Sequence, residues 1–481
     1  MPELLPENLQ ESINMVLSSS AFVEGFSDIK NFQGRLGPEI EGILFNPKTP
    51  DKVPSLQDVA GLFCNVVSNA KGAVPFYEEL EVNGKATSAY PTGVTIKIQD
   101  YPVQITTDAS RCTFEITTPP RSSLVHNESD MKYLFEILSS AAQRSGLELL
   151  GLGMHPFAKP DVTNMMPKAR YLSMSRRFQE EELRCLTISA SSQFHIEISK
   201  DSSSHVPYVI TGFIPPIIAA TGNSAIIGNA LSGYKEYRCA MWDAHASFSI
   251  EKTRVGIPAL FKNPQDYFDY LVSHSPIISK RSKDGKEFYI LFESRTQTFS
   301  EFVKEGKTYA KRMDTAERME VTPEPHDLVF LEGTVWPDVR LRSRFGTAEF
   351  RPCSFQPSVG EILAIGAVIK GLSNNHKEAF SVLQRYDLKH VKAARASAMK
   401  NGLDSDMGGD SILDLCNVMF SIAERGLPKE ERRFMDPMRR NVEEGKNPAD
   451  RSIDMFSKKP SEPSKEKDFI NLFVEKHKFK I

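Results

Sequence analysis

From Asp201 to Lys235 the sequence contains no Asp, Glu, Lys or Arg between its two ends. A run of that length without charge either crosses a bilayer or lies inside a body large enough to bury it. Tyr208 to Gly228 has the length of a membrane helix. Against that stand Pro215-Pro216 at its centre, where proline removes a helix hydrogen bond, and the polar Thr211, Thr221, Asn223 and Ser224. The expectation is a buried helix feeding a site loop, with no membrane contact. The 481 residues are enough to cover it. At about 150 residues per domain they make two to three domains or one large body with appendages.

The apolar share of 40% and charged share of 25% are those of a soluble globular chain. The formal charge of −3 lacks the basic excess of a nucleic-acid binder. Six cysteines, no two closer than 48 positions, exclude a Cys-x-x-Cys zinc or redox site and argue against a disulfide framework. Met1 to Lys30 has no basic stretch ahead of an apolar core, so no secretory signal is expected. A cytoplasmic chain with reduced thiols follows as the expectation.

Residues 1–30 read as an N-terminal helical segment, with Leu9, Ile13, Val16 and Leu17 near helical spacing. Strand patterns follow at 37–45, 95–98, 113–117, 147–152 and 185–198. The clearest helix is 130–144, with Asn127 or Ser129 as its cap and Gly146 as its stop. Asp284-Gly285 marks a hairpin turn before a strand at 287–292, and 304–326 reads as a polar, exposed excursion. From Val359 to about Arg425 the pattern is helical. The run from Lys458 to Ser464 is linker-like and leads into a short amphipathic helix with Phe469, Leu472 and Phe473. The division is therefore 1–30, a catalytic α+β part at 31–356, a helical part of the same body at 357–456, and a linker with tail helix at 457–481. Strands spread through the first 350 residues with helices between them suggest an α+β enzyme with an antiparallel sheet.

Three glutamates fall on strand-like segments: Glu39 and Glu41 in Gly37-Pro-Glu-Ile-Glu, and Glu115 in Cys112-Thr-Phe-Glu-Ile-Thr. Glu39 and Glu41, two apart, share a strand face. Side by side they repel unless a cation neutralises them, and Mg²⁺ takes oxygen ligands of this kind together with phosphate oxygens. The same pattern also fits a solvated edge strand. Gln193, His195 and Glu197 alternate on one face of another strand, which suits a cleft lining or an ordinary amphipathic strand. Arg340, Arg342 and Arg344 alternate ahead of Glu349 and Arg351, a density that suits forked recognition of phosphate or carboxylate. Lys168, Arg170 and Tyr171 follow a loop rich in Met and Pro. The chain has no Gly-x-x-x-x-Gly-Lys-Ser/Thr, no His-Glu-x-x-His and no Gly-x-Ser-x-Gly. A nucleotide would have to be held by metal-bound carboxylates and arginines on a sheet.

These segments, in this order, resemble the glutamate–cysteine ligases of the plant and proteobacterial type. Gly37-Pro-Glu-Ile-Glu is similar to that family's Gly-x-Glu-x-Glu strand and Thr113-Phe-Glu-Ile-Thr to its third-glutamate strand. Gly151-Leu-Gly-Met-His-Pro and Met166-Pro-Lys-Ala-Arg-Tyr-Leu-Ser-Met are similar to its Gly-x-Gly-x-x-Pro loop and Met-Pro-Lys-x-Arg-Tyr-x-x-Met. Gln193-Phe-His-Ile-Glu, Asn223-Ser224 with Arg238, Thr347-Ala-Glu-Phe-Arg and Gly445-Lys-Asn-Pro-Ala-Asp complete a likeness running from about residue 30 to 455.

The resemblance implies a curved antiparallel sheet like that of glutamine synthetase, and ATP with Mg²⁺ as cofactors. It implies activation of a carboxylate as an acyl phosphate that an amine then attacks. It implies Glu39, Glu41, Glu115 and Glu349 as metal ligands and Arg351, Arg170 and Glu41 in catalysis. Gln193, His195, Arg344 and Lys168 would face the nucleotide, and Tyr171, Arg238, Asn223 and Met154 the small-molecule substrates. With cysteine as amine the product would enter glutathione biosynthesis, and the enzyme would act as a monomer or homodimer.

The chain departs from the family at Met154-His155, where Phe-Gln is usual, and at Thr221-Gly-Asn-Ser-Ala-Ile. Those departures leave the amine open, cysteine or another. A guanidino kinase-like phosphotransferase and a non-catalytic homologue are the rival readings, the latter opposed by the retained Glu39, Glu41, Glu115, Glu349 and Arg351.

Overall fold

The computed structural model describes residues 19–26, 32–82, 85–245 and 252–481. The expected N-terminal helix lies outside them except for a short helix at Ser19–Glu24. Nine strands form the main sheet: β1 (Leu36–Phe45), β2 (Val74–Phe76), β3 (Gly93–Ile98), β4 (Tyr101–Thr107), β5 (Thr113–Thr117), β6 (Glu148–Leu150), β7 (Ser191–Glu197), β8 (Val339–Arg342) and β9 (Thr347–Ser354). Their order is β8-β9-β7-β1-β5-β4-β3-β2, with β6 paired to the end of β1. Every pairing is antiparallel. The class is α+β.

Period-two alternation decides what each face does. Ile40, Ile116, Phe194, Ile196, Ala348 and Phe350 point to the core and are fully buried or nearly so. Helix α1 (Leu124–Arg144) and helix α3 (Val359–Asn374) pack on that face; between them in the chain lies α2 (Tyr237–His245). Close packing of α3 depends on Gly366. A Cβ there would stand 2.8 Å from Leu36 Cδ2 and 3.0 Å from a Phe194 ring carbon.

The uncharged run becomes two short helices, Val206–Gly212 and Ile214–Thr221, with every residue buried. Thr211 and Thr221 turn their hydroxyls back onto the carbonyls of Pro207 and Ile217 at 2.7 Å, which satisfies them inside the core. Among the described residues no helix is long and apolar enough to cross a membrane.

Several expected boundaries shift. Helix α1 starts at Leu124, capped by the Ser123 hydroxyl. Asn127 is inside it, buried and bonded to the Leu36 carbonyl at 3.2 Å. The strand expected at 185–198 is shorter, because Arg184–Leu186 is a 3₁₀ turn. The polar 304–326 stretch is no loose excursion. Thr308–Arg312 and Arg318–Val321 are strands of a four-stranded meander with Ile278–Lys283 and Lys286–Phe292. The hairpin at Asp284-Gly285 is present, with both residues at positive φ (52° and 74°), as a two-residue turn of this kind requires.

The C-terminal part adds α4 (Leu388–Asn401) and the tail helix α5 (Pro463–His477). Phe469 and Phe473 dock α5 on the body while Leu472 stays exposed. Beyond it Phe479 packs its ring 4.3 Å from that of Phe135 and 4.9 Å from that of Phe355.

Candidate active site

The face of the sheet opposite α3 carries the charge. Register sets Glu41 beside Glu115, Glu39 beside Gln193, His195 beside Glu349, and Glu349 beside Arg340. Arg351, two residues after Glu349, shares that face by alternation, and the register of β9 shifts beyond Phe350. The result is a cavity of about 310 Å³ lined by Glu39, Glu41, Asp108, Glu115, Gln193, His195, Glu349 and five arginines (170, 238, 340, 342 and 351), with Trp242 and Trp336 in its wall.

Its two halves differ electrostatically. On β9, Glu349 is fully buried and receives both prongs of Arg340 at 2.8 Å, with Arg351 donating to the same carboxylate. Coulombic attraction to Arg340 and Arg351 outweighs burial and holds its carboxyl well below the usual range. Arg351 also donates to Gln193 Oε1 at 2.6 Å. On β1, Glu41 accepts from Ser191 at 2.7 Å and Gln193 at 2.8 Å. Burial and the nearby Asp108 raise its pKa to about 7, against the pull of Arg238. Burial and three carboxylates (Glu39, Asp108, Glu41) push Glu115 well above its ordinary value. His195 joins the halves, with Nε2 3.3 Å from Glu39 and 3.8 Å from Glu349.

A second cavity of about 840 Å³ shares Asp108, Glu115, Arg170 and Tyr171 with the first. Lys168 lines this one instead, its ammonium held by the Thr107 carbonyl at 2.8 Å and Glu78 at 2.7 Å. Tyr171 donates to Asp108 at 2.8 Å, and Arg170 donates to the Gly333 carbonyl at 3.3 Å.

The structure thus brings Glu39, Glu41, Glu115, Glu349, Gln193, His195, Arg170, Tyr171, Arg238 and Arg351 to one place. It does not bring Arg344, whose exposed guanidinium stacks 5.7 Å from the Phe345 ring in the β8–β9 turn. Asn223 is buried and spends its amide on the Gly151 and Phe355 carbonyls at 2.9 and 2.7 Å, so it braces loops and does not face the cavity. Met154 is buried in a small apolar cluster. Lys168 reaches the second cavity only. Sequence reasoning missed Asp108, Trp242 and Trp336. Asp108 follows directly on β4, the strand paired with the β5 that carries Glu115, and that adjacency was its one available signal.

Glu349 is expected as a metal ligand, yet its oxygens are engaged by arginines. Among the described residues no three of His, Cys, Asp and Glu form a closed metal site. The remaining acids suit Mg²⁺ in another way. Glu39, Glu41 and Glu115, with Asp108, are crowded carboxylates whose repulsion a bound cation would relieve. Mg²⁺ is held by one or two carboxylates plus substrate phosphates and water rather than by an all-protein cage.

Carboxylates gathered on one half of a sheet and arginines on the other fit the class that the family match defines, a carboxylate–amine ligase dependent on ATP. The model of "Glutamate-cysteine ligase family 2(GCS2)" matches residues 35–469, and the chain belongs to that family. It is 22% identical over 368 residues to an inferred glutamate–cysteine ligase 2 of Roseiflexus sp. (strain RS-1), covering 73% of this chain and 80% of that one. It is 23% identical over 284 residues to the glutamate–cysteine ligase EgtA of Mycobacterium tuberculosis, covering 56% and 57%. The glutamate–cysteine ligase of Francisella tularensis solved in complex with AMP aligns at a TM-score of 0.43 and 11% identity, over 93% of this chain and 89% of that one.

Proposed function

We propose that this enzyme joins the γ-carboxylate of glutamate to an amine, cysteine among the candidates, through an acyl phosphate. The observation that carries the reading is the cavity itself, where the crowded Glu39, Glu41 and Glu115 line one half and Arg238 and Arg351 the other. In the first step the γ-phosphoryl group of ATP passes to a carboxylate oxygen and ADP leaves. In the second the amine nitrogen bonds to that carbon, the carbon–oxygen bond to phosphate breaks, and the nitrogen loses a proton.

Mg²⁺ on Glu39, Glu41 and Glu115 would neutralise the phosphates. Arg351 and Arg170 hold charge on the transferring oxygens, which forked, charged donors stabilise. Gln193 fixes Arg351 through its Oε1 and Glu41 through its amide, so one side chain sets the spacing between the two halves. His195 and Gln193 face the nucleotide, and Arg238 and Tyr171 the carboxylate substrate. The reading goes with a cytoplasmic enzyme, monomeric or homodimeric, acting on small molecules.

The test is ADP release with ATP, Mg²⁺ and glutamate across a panel of amines that includes cysteine, followed by mass spectrometry of the product. Release that needs both glutamate and an amine is expected. No glutamate-dependent ADP above background with any amine overturns the proposal.

A further inference from the structure

Behind the cavity wall lies an ion triad that the reaction scheme does not use, with Arg395 and Asp338 buried and Asp243 partly exposed. Arg395, on α4 in the C-terminal helical part, is 5% exposed. It donates to both oxygens of Asp338 at 2.5 and 3.0 Å and to both oxygens of Asp243 at 2.5 and 3.2 Å. Both carboxylates belong to segments that carry cavity residues. Asp243 is on α2, with Arg238 one and a half turns earlier and Trp242 next to it. Asp338 joins Trp336 to β8, and its carbonyl accepts the Arg351 amide at 2.9 Å.

The circuit closes across the wall, because Arg238 donates to the Arg351 carbonyl at 3.3 Å. The Asp338 amide is in turn held by the Gly256 carbonyl at 2.7 Å. Gly256 has a φ of +70°, and a Cβ on it would stand 3.2 Å from Asp243 Oδ1, so this corner admits little else than glycine.

We propose that Arg395 is a positioning residue which sets the separation of Arg238 and Arg351, and so the seat of the anionic substrate groups between them. A fork that bridges two carboxylates fixes direction as well as charge. Lysine, a point charge on a flexible stem, cannot reproduce both pairs. The inference rests on the ligase reading for its kinetic consequence and on the geometry alone for its structural one.

The chain has two tryptophans, Trp242 and Trp336, with ring centroids 5.7 Å apart, and both line the cavity beside the triad. Their near-ultraviolet circular dichroism therefore reports α2 against the Asp338 segment without any turnover. The experiment takes the full-length chain with Arg395→Lys and, separately, Asp243→Asn, and measures this signal, the melting temperature and the kinetic constants.

For both variants we expect a folded protein with an altered tryptophan signal. kcat/KM for glutamate falls by up to about a hundredfold, as a misplacement near 1 Å produces, while KM for ATP stays within about twofold. An unchanged tryptophan signal in both variants overturns the proposal. So does a uniform shift of both KM values that follows the loss of melting temperature, which would mark a role in stability only. If the wild-type chain releases no glutamate-dependent ADP, the ligase reading fails by itself and the tryptophan signal still decides the role of Arg395.

Discussion

Two strands of one sheet face carry glutamates under opposite conditions. On β9 Glu349 is paired with Arg340 and Arg351 and stays ionised at every ordinary pH. On β1 and β5, Glu41 and Glu115 are packed against other carboxylates, and their charge is resisted. The difference teaches where a ligand's charge belongs. The β9 half already has its counter-ions and presents arginine to an anion, whereas in the β1–β5 half Arg238 and Lys168 only partly offset burial and crowded carboxylates. A phosphate chain carrying a metal ion, as proposed above, would suit both halves at once.

The comparison breaks most severely at Glu349. Its replacement by Gln leaves Arg340 buried without a charged partner, which costs about 3–5 kcal/mol. Chemical denaturation should show that loss, together with loss of turnover. Glu41→Gln tests the other half. It should lower kcat by about a hundred- to a thousandfold, yet stabilise the metal-free protein at pH 8, because it removes a resisted charge. Destabilisation of that variant at pH 8 would contradict the account of the β1–β5 half.

The pH dependence follows from the same shift. The folded pKa of Glu41, about 7, lies above its ordinary 4.5. The fold therefore prefers the protonated form, and the stability this contributes is complete below 4.5 and lost as pH rises through 7. Melting of the metal-free chain should drop across that window, and Mg²⁺ with ATP should raise it more at pH 8 than at pH 5. The smallest effect is expected at Arg344, which lies outside the cavity. Arg344→Ala should change KM for ATP by less than about twofold, in keeping with a screened surface charge.

Much of this was legible in the amino-acid order. Alternation on β1, β5 and β7 announced which side chains share a face, and the antiparallel sheet followed from strands separated by helices and turns. The partition into a paired and an unpaired half was not legible. It depends on which strand sits beside which, and β1 lies between strands that begin at residues 113 and 191.

Asn223 and Met154 illustrate another limit. They belong to motifs that lie near a site, but whether a short amide turns to a ligand or to two backbone carbonyls is settled by tertiary packing. The meander at 278–321 was half seen for a similar reason. Thr308–Arg312 and Arg318–Val321 put alternate residues into solvent, so composition alone reads them as loop.

The register has a consequence for the order of events in the cell. Acids at 39, 41 and 115 come together through β1 and β5, while Arg238 on α2 and Arg351 on β9 come from later parts of the sequence. Closing such long loops is slow. Until α2 and β9 have docked on β1 and β5 the cavity lacks Arg238 and Arg351, so the charge balance of the site is completed only with the last strands of the sheet.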